Sequence, residues 1–314
     1  MSLTIRSYAD TDLRPIVDVL RETMPQEAIS ETRFTRQVLL DPNFRREGAA
    51  VAEADGEIVG FCLSIARHVP LENAPSDADR GYITLFGVLP RHQRRGIGSR
   101  LLKRVEDYLH TQERATLMIS SYAPGYFIPG VDVKAHPHAL LLFQKHGFEE
   151  IYRPLAMQAS LRGLQMPEWL GEAAKKAADG GLEIQPYSSA LTTKILDFVA
   201  CEFPGDWVRV VREAMHRILE GDSPSRLLIA IDRGEIVGFA HFDRERFGPI
   251  GVATAQRGRR IGQMLMFRTL EAQCAMGFKA AWFLWSDDKT AIRLYNGAGF
   301  KEVRRFALLR KELS

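Results

Sequence analysis

The chain repeats itself, and that repeat constrains its fold more than any other feature. Ala52-Glu53-Ala54-Asp55-Gly56-Glu57-Ile58-Val59-Gly60-Phe61 returns as Ala230-Ile231-Asp232-Arg233-Gly234-Glu235-Ile236-Val237-Gly238-Phe239. In both, two apolar runs meet at a Gly-containing turn, which is a β-hairpin signal. Gly56 and Gly234 stand 178 positions apart, the Ile-Gly pairs ending at Gly98 and Gly262 stand 164 apart, and the Gly-Phe pairs starting at Gly147 and Gly299 stand 152 apart. The starts also agree, Ile5-Arg6-Ser7-Tyr8 against Ile184-Gln185-Pro186-Tyr187. The falling offset places two insertions in the first copy, near His68–Arg80 and near Tyr122–Pro137, where loops absorb them.

A chain of 314 residues has room for two ordinary domains. The copies occupy 1–160 and 182–314. The stretch 161–181 reads as a helical linker, with Met166-Pro167-Glu168-Trp169-Leu170 ahead of an Ala/Lys helix that ends at Gly180-Gly181, a C-cap signal. Each copy has the same order of elements: a strand (4–8; 183–187), one or two helices, the hairpin, and a third strand that runs into an Arg/Gly loop. A long amphipathic helix follows (98–111; 262–276), then a strand (115–120; 280–285), a helix (137–145; 289–296) and a last strand. This order implies an α/β fold with a mixed sheet in each copy.

Composition narrows the class. The balance of 46% hydrophobic and 26% charged residues is that of a soluble globular protein. No apolar run of transmembrane length occurs, and Met1-Ser2-Leu3-Thr4-Ile5-Arg6 lacks a signal-peptide pattern, so the expected location is the cytoplasm. A net charge of +3 gives no case for a nucleic-acid partner. Cys62, Cys201 and Cys274 have no metal or CxxC spacing and read as core or near-surface residues. Pairs such as His110 and Glu113 lack a third ligand, so no metal is expected.

The chemistry is carried by Val88-Leu89-Pro90-Arg91-His92-Gln93-Arg94-Arg95-Gly96-Ile97-Gly98. An apolar strand precedes it. A helix with Leu101, Leu102, Val105 and Leu109 on one face follows. A helix N-terminus offers unpaired N–H groups and the positive end of a dipole. Glycines allow close backbone approach, and nearby arginines add charge-assisted contacts. Strand, loop and helix together make an anion site suited to a pyrophosphate.

The segment resembles motif A of the GNAT (GCN5-related N-acetyltransferase) superfamily, Gln/Arg-x-x-Gly-x-Gly/Ala, which Gln93, Gly96 and Gly98 fill. Leu142-Phe143-Gln144-Lys145-His146-Gly147-Phe148 and Leu294-Tyr295-Asn296-Gly297-Ala298-Gly299-Phe300 are similar to the family's Leu-Tyr-x-x-x-Gly-Phe segment. The resemblance implies two tandem GNAT-type domains, each a mixed, mostly antiparallel sheet flanked by helices. It implies acetyl-CoA or another acyl-CoA as cofactor, held by Gln93, Arg94, Arg95, Gly96, Ile97, Gly98 and Ser99, with the pantetheine arm along Phe86, Gly87 and Val88. The implied activity is direct acyl transfer to a primary amine of a small molecule or peptide, with a backbone N–H near Val88 facing the oxyanion.

The copies depart from the pattern in complementary places. The second-copy candidates are Val252, Arg257, Gly258, Arg259, Arg260 and Gly262, and Arg260 stands where the first motif glycine belongs. Its side chain either crowds the pyrophosphate or turns outward. The reading adopted is impaired CoA binding in the second copy, because close approach is what that glycine supplies. In the first copy, Phe143 takes the place of the family's proton-donating tyrosine, which the second copy keeps as Tyr295; phenylalanine cannot donate. Tyr295 is the catalytic acid if the second copy is active, and otherwise a packed helix residue. Tyr122 and Tyr126 lie in the second insertion, where Tyr126 is a substitute-acid candidate; the favoured reading of that insertion is a wall over the substrate. No Asp or Glu marks a base on the strands that end at Val88 and Val252, and His68, His136 and His138 lie in or beside the insertions. Two other classes stay open: a second copy that serves only binding or homodimerisation, and a transferase that uses aminoacyl-tRNA.

Overall fold

Asp55 and Gly56 both adopt left-handed backbone, φ 49° and 83°, as do Arg233 and Gly234, φ 52° and 87°. Paired positive φ values are what a two-residue hairpin turn requires, so the repeated turn is built the same way twice. The computed structural model describes residues 2–119, 122–221 and 224–313; Met1 and the strand end expected at position 120 lie outside them.

In chain order the elements are β1 (Leu3–Ser7), α1 (Leu13–Thr23), α2 (Glu31–Phe34), β2 (Ala49–Ala54), β3 (Glu57–Ala66), β4 (Arg80–Val88), α3 (Ile97–Thr111), β5 (Thr116–Ile119), β6 (Val131–Asp132), α4 (Pro137–Lys145) and β7 (Glu149–Tyr152). They continue as β8 (Leu155–Ser160), α5 (Glu168–Asp179), β9 (Leu182–Pro186), α6 (Thr192–Glu202), α7 (Trp207–Leu219), β10 (Ser225–Asp232), β11 (Glu235–Asp243), β12 (Arg246–Val252), α8 (Ile261–Ala275), β13 (Ala280–Ser286), α9 (Asp288–Thr290) and β14 (Lys301–Glu312). The helix expected over 289–296 is reduced to α9 and a wider turn over Ala291–Tyr295.

Two compact units result. The first comprises Met1–Pro70, Ser76–Pro154 and Arg305–Ser314, the second Leu71–Pro75 and Leu155–Arg304. In the first, β1 to β4 run antiparallel, β5 joins β4 in parallel, and the end of β14 closes against β5 in antiparallel register, Leu309 opposite Ile119. One face buries Leu101, Leu102, Val105 and Leu109 of α3, the stripe expected from the sequence. The other face buries Ile16, Val17 and Leu20 of α1 with Phe34 and Phe61. In the second unit β9 to β12 are antiparallel, β12 meets β13 in parallel, and β8 closes against β13, Met157 opposite Phe283. Both units are therefore mixed, mostly antiparallel sheets flanked by helices.

The units interleave in sequence, unlike the contiguous division at 160 and 182 expected above. Strand β8 ends the first copy yet completes the second unit's sheet, and Arg305 onward completes the first. Pro154 separates β7 from β8, and its carbonyl accepts from Phe306 N at 3.0 Å. Strand pairing is a non-local choice that alternation along one strand does not encode. Two further segments differ from their sequence reading. Helix α5 docks on the second unit's core through Leu170, fully buried, with Ala173, Ala174 and Ala177 half-buried beside it. Part of the first insertion, Leu71–Pro75, also packs in the second unit, where Asn73 O accepts from Gly205 N and Asn73 Nδ2 donates to Ala200 O, at 2.8 and 2.9 Å.

Candidate active site

Strand β4 bonds β3 from Gly81 to Val88, whereas among the described residues its ladder with β5 covers Arg80, Gly81 and Tyr82 alone. Beyond Tyr82 the described β4 edge borders a cavity of about 620 Å³. A bulge lies just beyond Tyr82: Ser64 pairs with Ile83 and Leu63 with Leu85, which leaves Thr84 as the extra residue. The Thr84 hydroxyl is buried without a hydrogen-bond partner, and Thr84 lines the cavity. Sequence reasoning passed over it; a lone polar residue in Tyr82-Ile83-Thr84-Leu85-Phe86 was the available signal.

The Arg/Gly loop closes the other end. Gln93 Nε2 donates to Val88 O at 2.9 Å, which ties the loop back to the strand it leaves. Arg94 and Gly96 both take left-handed backbone, φ 62° and 79°, and Gly96 caps α3. Arg100 N bonds Gly96 O at 3.1 Å, so the first-turn N–H groups of Ile97, Gly98 and Ser99 have no acceptor within the helix. A Cβ on Gly98 would come within 3.1 Å of Leu142 and 3.2 Å of Phe86, both in the lining. Ser99 Oγ pairs with His146 Nε2 at 2.9 Å.

Of the residues expected to hold the cofactor, Phe86, Gly87, Val88, Gln93, Arg94, Gly96, Ile97, Gly98 and Ser99 all line this cavity, and Arg95 does not. Phe143 lines it too, packed edge-on against Phe86. His136 and His138 are in the lining and His68 is not; His92, not singled out from sequence, is. The second insertion contributes Ile128, Gly130 and Val131, so it forms a wall. Tyr126 is absent from the lining, and its carbonyl accepts from Gln37 Nε2 at 3.5 Å. Tyr122 is a core residue whose hydroxyl donates to Asp41 Oδ1 at 3.1 Å and whose pKa burial pushes up. Among the described residues no cluster of three His, Cys, Asp or Glu side chains is placed to hold a metal, and no helix is long and apolar enough to cross a membrane.

The second unit repeats the loop with its glycine moved. Gly258 and Arg260 take the two left-handed positions, φ 87° and 63°, so each copy carries one glycine and one arginine there, in opposite order. The Arg260 side chain turns outward over the Trp169 ring, 4.9 Å from its centroid, which answers the crowding expected at this position. Arg259 pairs with Asp232 at 2.6 Å. The larger change lies on β12. A Cβ on Gly251 would stand 2.5 Å from the ring of Phe203, whereas one on Gly87 would meet the Thr23 hydroxyl at 2.4 Å. Phe203 in turn stacks on Trp207 at 4.8 Å. A phenylalanine backed by a tryptophan thus covers the second strand at Gly251, where a threonine stands on the first at Gly87. Tyr295 is 7% exposed among Phe247, Phe283 and Phe300, and burial raises its pKa. Its ring is thus packed in the second unit's core.

Comparison with known proteins agrees with this architecture. The model of the acetyltransferase (GNAT) family matches residues 14–148, and that of an acetyltransferase (GNAT) domain matches residues 223–302. No curated protein matches the chain in sequence. Among solved structures, a GCN5-related glucosamine N-acetyltransferase region of a fungal multi-domain GH3 β-N-acetylglucosaminidase superposes with a TM-score of 0.77 at 18% identity, covering 98% of this chain and 38% of that one. A GCN5-related N-acetyltransferase from Sphaerobacter thermophilus gives 0.70 at 18% identity, covering 99% and 95%. A tandem GNAT protein from the clavulanic acid biosynthesis pathway gives 0.65 at 15% identity, covering 99% and 98%. At these identities the structures speak for the fold. With a family model on each copy and tandem neighbours along the whole chain, the protein belongs to the GNAT superfamily and carries two GNAT domains in tandem.

Proposed function

We propose that the first unit is an acyl-CoA-dependent N-acyltransferase, with acetyl-CoA the simplest donor and a primary amine of a small molecule or peptide as acceptor. The observation that carries this reading is one cavity with the motif loop at one end and the β4 edge beyond Tyr82 along its side. The site fits CoA. The first-turn amides of α3 suit a pyrophosphate, Arg94 and Lys145 add positive charge in the lining, and a side chain at Gly98 would crowd Leu142 and Phe86 beside the loop. When bound, acyl-CoA supplies an activated thioester carbonyl. Peptide groups of β4 beyond Tyr82 would pair with the pantetheine arm. The acceptor amine must lose a proton, and the imidazoles of His136 and His138 in the lining are groups able to accept one.

Calorimetry with CoA tests the reading on the intact chain. One site is expected, and Gly98→Val should weaken it at least tenfold. Unchanged affinity in that variant would remove the loop from the site.

A second reading concerns the other copy. Phe203 over Gly251, backed by Trp207, with Tyr295 in the core, favours a second unit that binds no CoA and serves to support the fold or the acceptor. One-to-one stoichiometry in the same titration is its expected result; two sites would overturn it.

A further inference from the structure

The cavity changes character along β4. The loop end holds Arg94 and Lys145; away from the loop, β4 and the end of β5 contribute Ile83, Leu85 and Ile119, which Ile128 and the Thr84 hydroxyl join in the lining, with His136 and His138 the imidazoles named above for the reacting amine. From Val88 back to Ile83 the strand spans about 17 Å at ~3.3 Å per residue. If the phosphates sit at the loop, as proposed above, the transferred acyl group and its acceptor meet at this apolar end.

The wall bearing Ile128 is held in place. Arg67, 6% exposed, donates through Nη2 to Ala123 O at 2.9 Å and through Nε to Asp77 Oδ2 at 2.8 Å. Its guanidinium lies 4.6 Å from the centroid of the Tyr122 ring. Asn43 Nδ2 donates to the Tyr122 hydroxyl at 2.9 Å. Phe127, the residue before Ile128, is fully buried under the Arg33 guanidinium. Gly125 and Gly130 sit where a Cβ would come within 2.3 and 2.4 Å of the carbonyls of Gln37 and Ala307. A loop fixed at both ends cannot withdraw to let a hydrated charge beside Ile128. Burying an ion there without a partner carries a heavy desolvation penalty.

We propose that the acceptor is a primary amine with an uncharged, apolar body, and that Ile128 on this fixed wall selects it. The inference rests on the acyl-CoA reading of the cavity and narrows its substrate class. A second ammonium a few carbons from the reacting amine would be placed against Ile83, Leu85 and Ile128, and is disfavoured there.

The test compares two amines of equal length, hexylamine and 1,6-diaminohexane, with acetyl-CoA and the full chain, following thiol release. The wild type should prefer hexylamine by at least tenfold in kcat/KM. Ile128→Asp should shift that ratio toward the diamine by at least tenfold, and Ile128→Ala should improve monoamines with bulkier bodies relative to hexylamine. Melting curves establish that each variant is folded. Preference of the wild type for the diamine, turnover of neither amine while CoA still binds by calorimetry, or an unmoved ratio in both folded variants would overturn the inference. Absence of CoA binding in the wild type would instead sink the proposed function itself.

Discussion

The guanidinium of Arg260 lies over the indole of Trp169, 4.9 Å from its centroid, while the Arg260 backbone keeps the left-handed conformation that Gly96 has in the other copy. Three opposing terms meet at this residue. Glycine would remove a left-handed penalty of about 1–2 kcal/mol, but would lose about 0.5–1 kcal/mol of cation–π attraction and about as much to chain entropy. Arg260→Gly should therefore leave the melting temperature within about 2 °C of the wild type. It should also leave CoA stoichiometry at one, because Phe203 still covers Gly251. Appearance of a second site by calorimetry would show that the arginine alone blocks it.

Tyr295 separates two readings of the second copy. Its ring sits 4.4 Å from that of Phe283 in an aromatic cluster, so Tyr295→Phe keeps the packing and removes only the hydroxyl. Steady-state turnover in that variant should stay within twofold of the wild type. A tenfold fall in kcat with unchanged KM would restore the hydroxyl as a proton donor.

What could be read from the sequence was local. The hairpin turns at Gly56 and Gly234, the α3 stripe from Leu101 to Leu109, and the loop from Gln93 to Gly98 each depend on neighbours within a few residues. What could not be read was long-range. Nothing in Leu155–Ser160 says that it will pair with Ala280–Ser286, and nothing near Gly251 says that Phe203, 48 positions earlier, will lie on it. Thr84 falls between these cases: its polarity is visible in an apolar strand, but the bulge that isolates its hydroxyl depends on the register with Ser64 and Leu63.

Gln93 contributes through its own loop. Its Nε2 donates to Val88 O at 2.9 Å, and a net hydrogen bond of this kind is worth about 1 kcal/mol. Gln93→Ala should weaken CoA about fivefold by calorimetry. Gln93→Glu should do worse, since a carboxylate cannot donate and brings negative charge toward the phosphate end. Equal affinity for wild type and Gln93→Glu would mean that the bond does not shape the site.

Arg67 should matter to both stability and specificity. Its side chain is 4% exposed and that of its partner Asp77 15%, and removing one partner of a buried pair costs about 3–5 kcal/mol. Arg67→Met should lower the melting temperature by several degrees. Where it still folds, it should raise KM for the amine more than KM for acyl-CoA, because the wall at Ile128 loosens while the loop at Gln93 does not. An equal rise in both would assign Arg67 to general stability alone.

His241 sets a pH limit on the second unit. It is 5% exposed, and burial holds its pKa down at about 4 from an ordinary 6.5, against smaller opposing effects of Gly248 O and Asp243, while Arg217 and Arg246 lower it further. Its ring nitrogens are satisfied by Ser225 Oγ at 2.8 Å and Gly248 O at 3.1 Å. Below pH 6.5 the unfolded chain gains a proton at this site that the folded chain does not, so stability falls with acid until the folded histidine also titrates near pH 4. The loss should approach ~1.4 kcal/mol per pH unit within that window, about 3 kcal/mol in all, and vanish above pH 7. Denaturant unfolding from pH 7.5 to 4.5 should therefore give a steeper acid slope for the wild type than for His241→Gln. Parallel slopes for the two proteins would mean that His241 already carries its proton in the folded state.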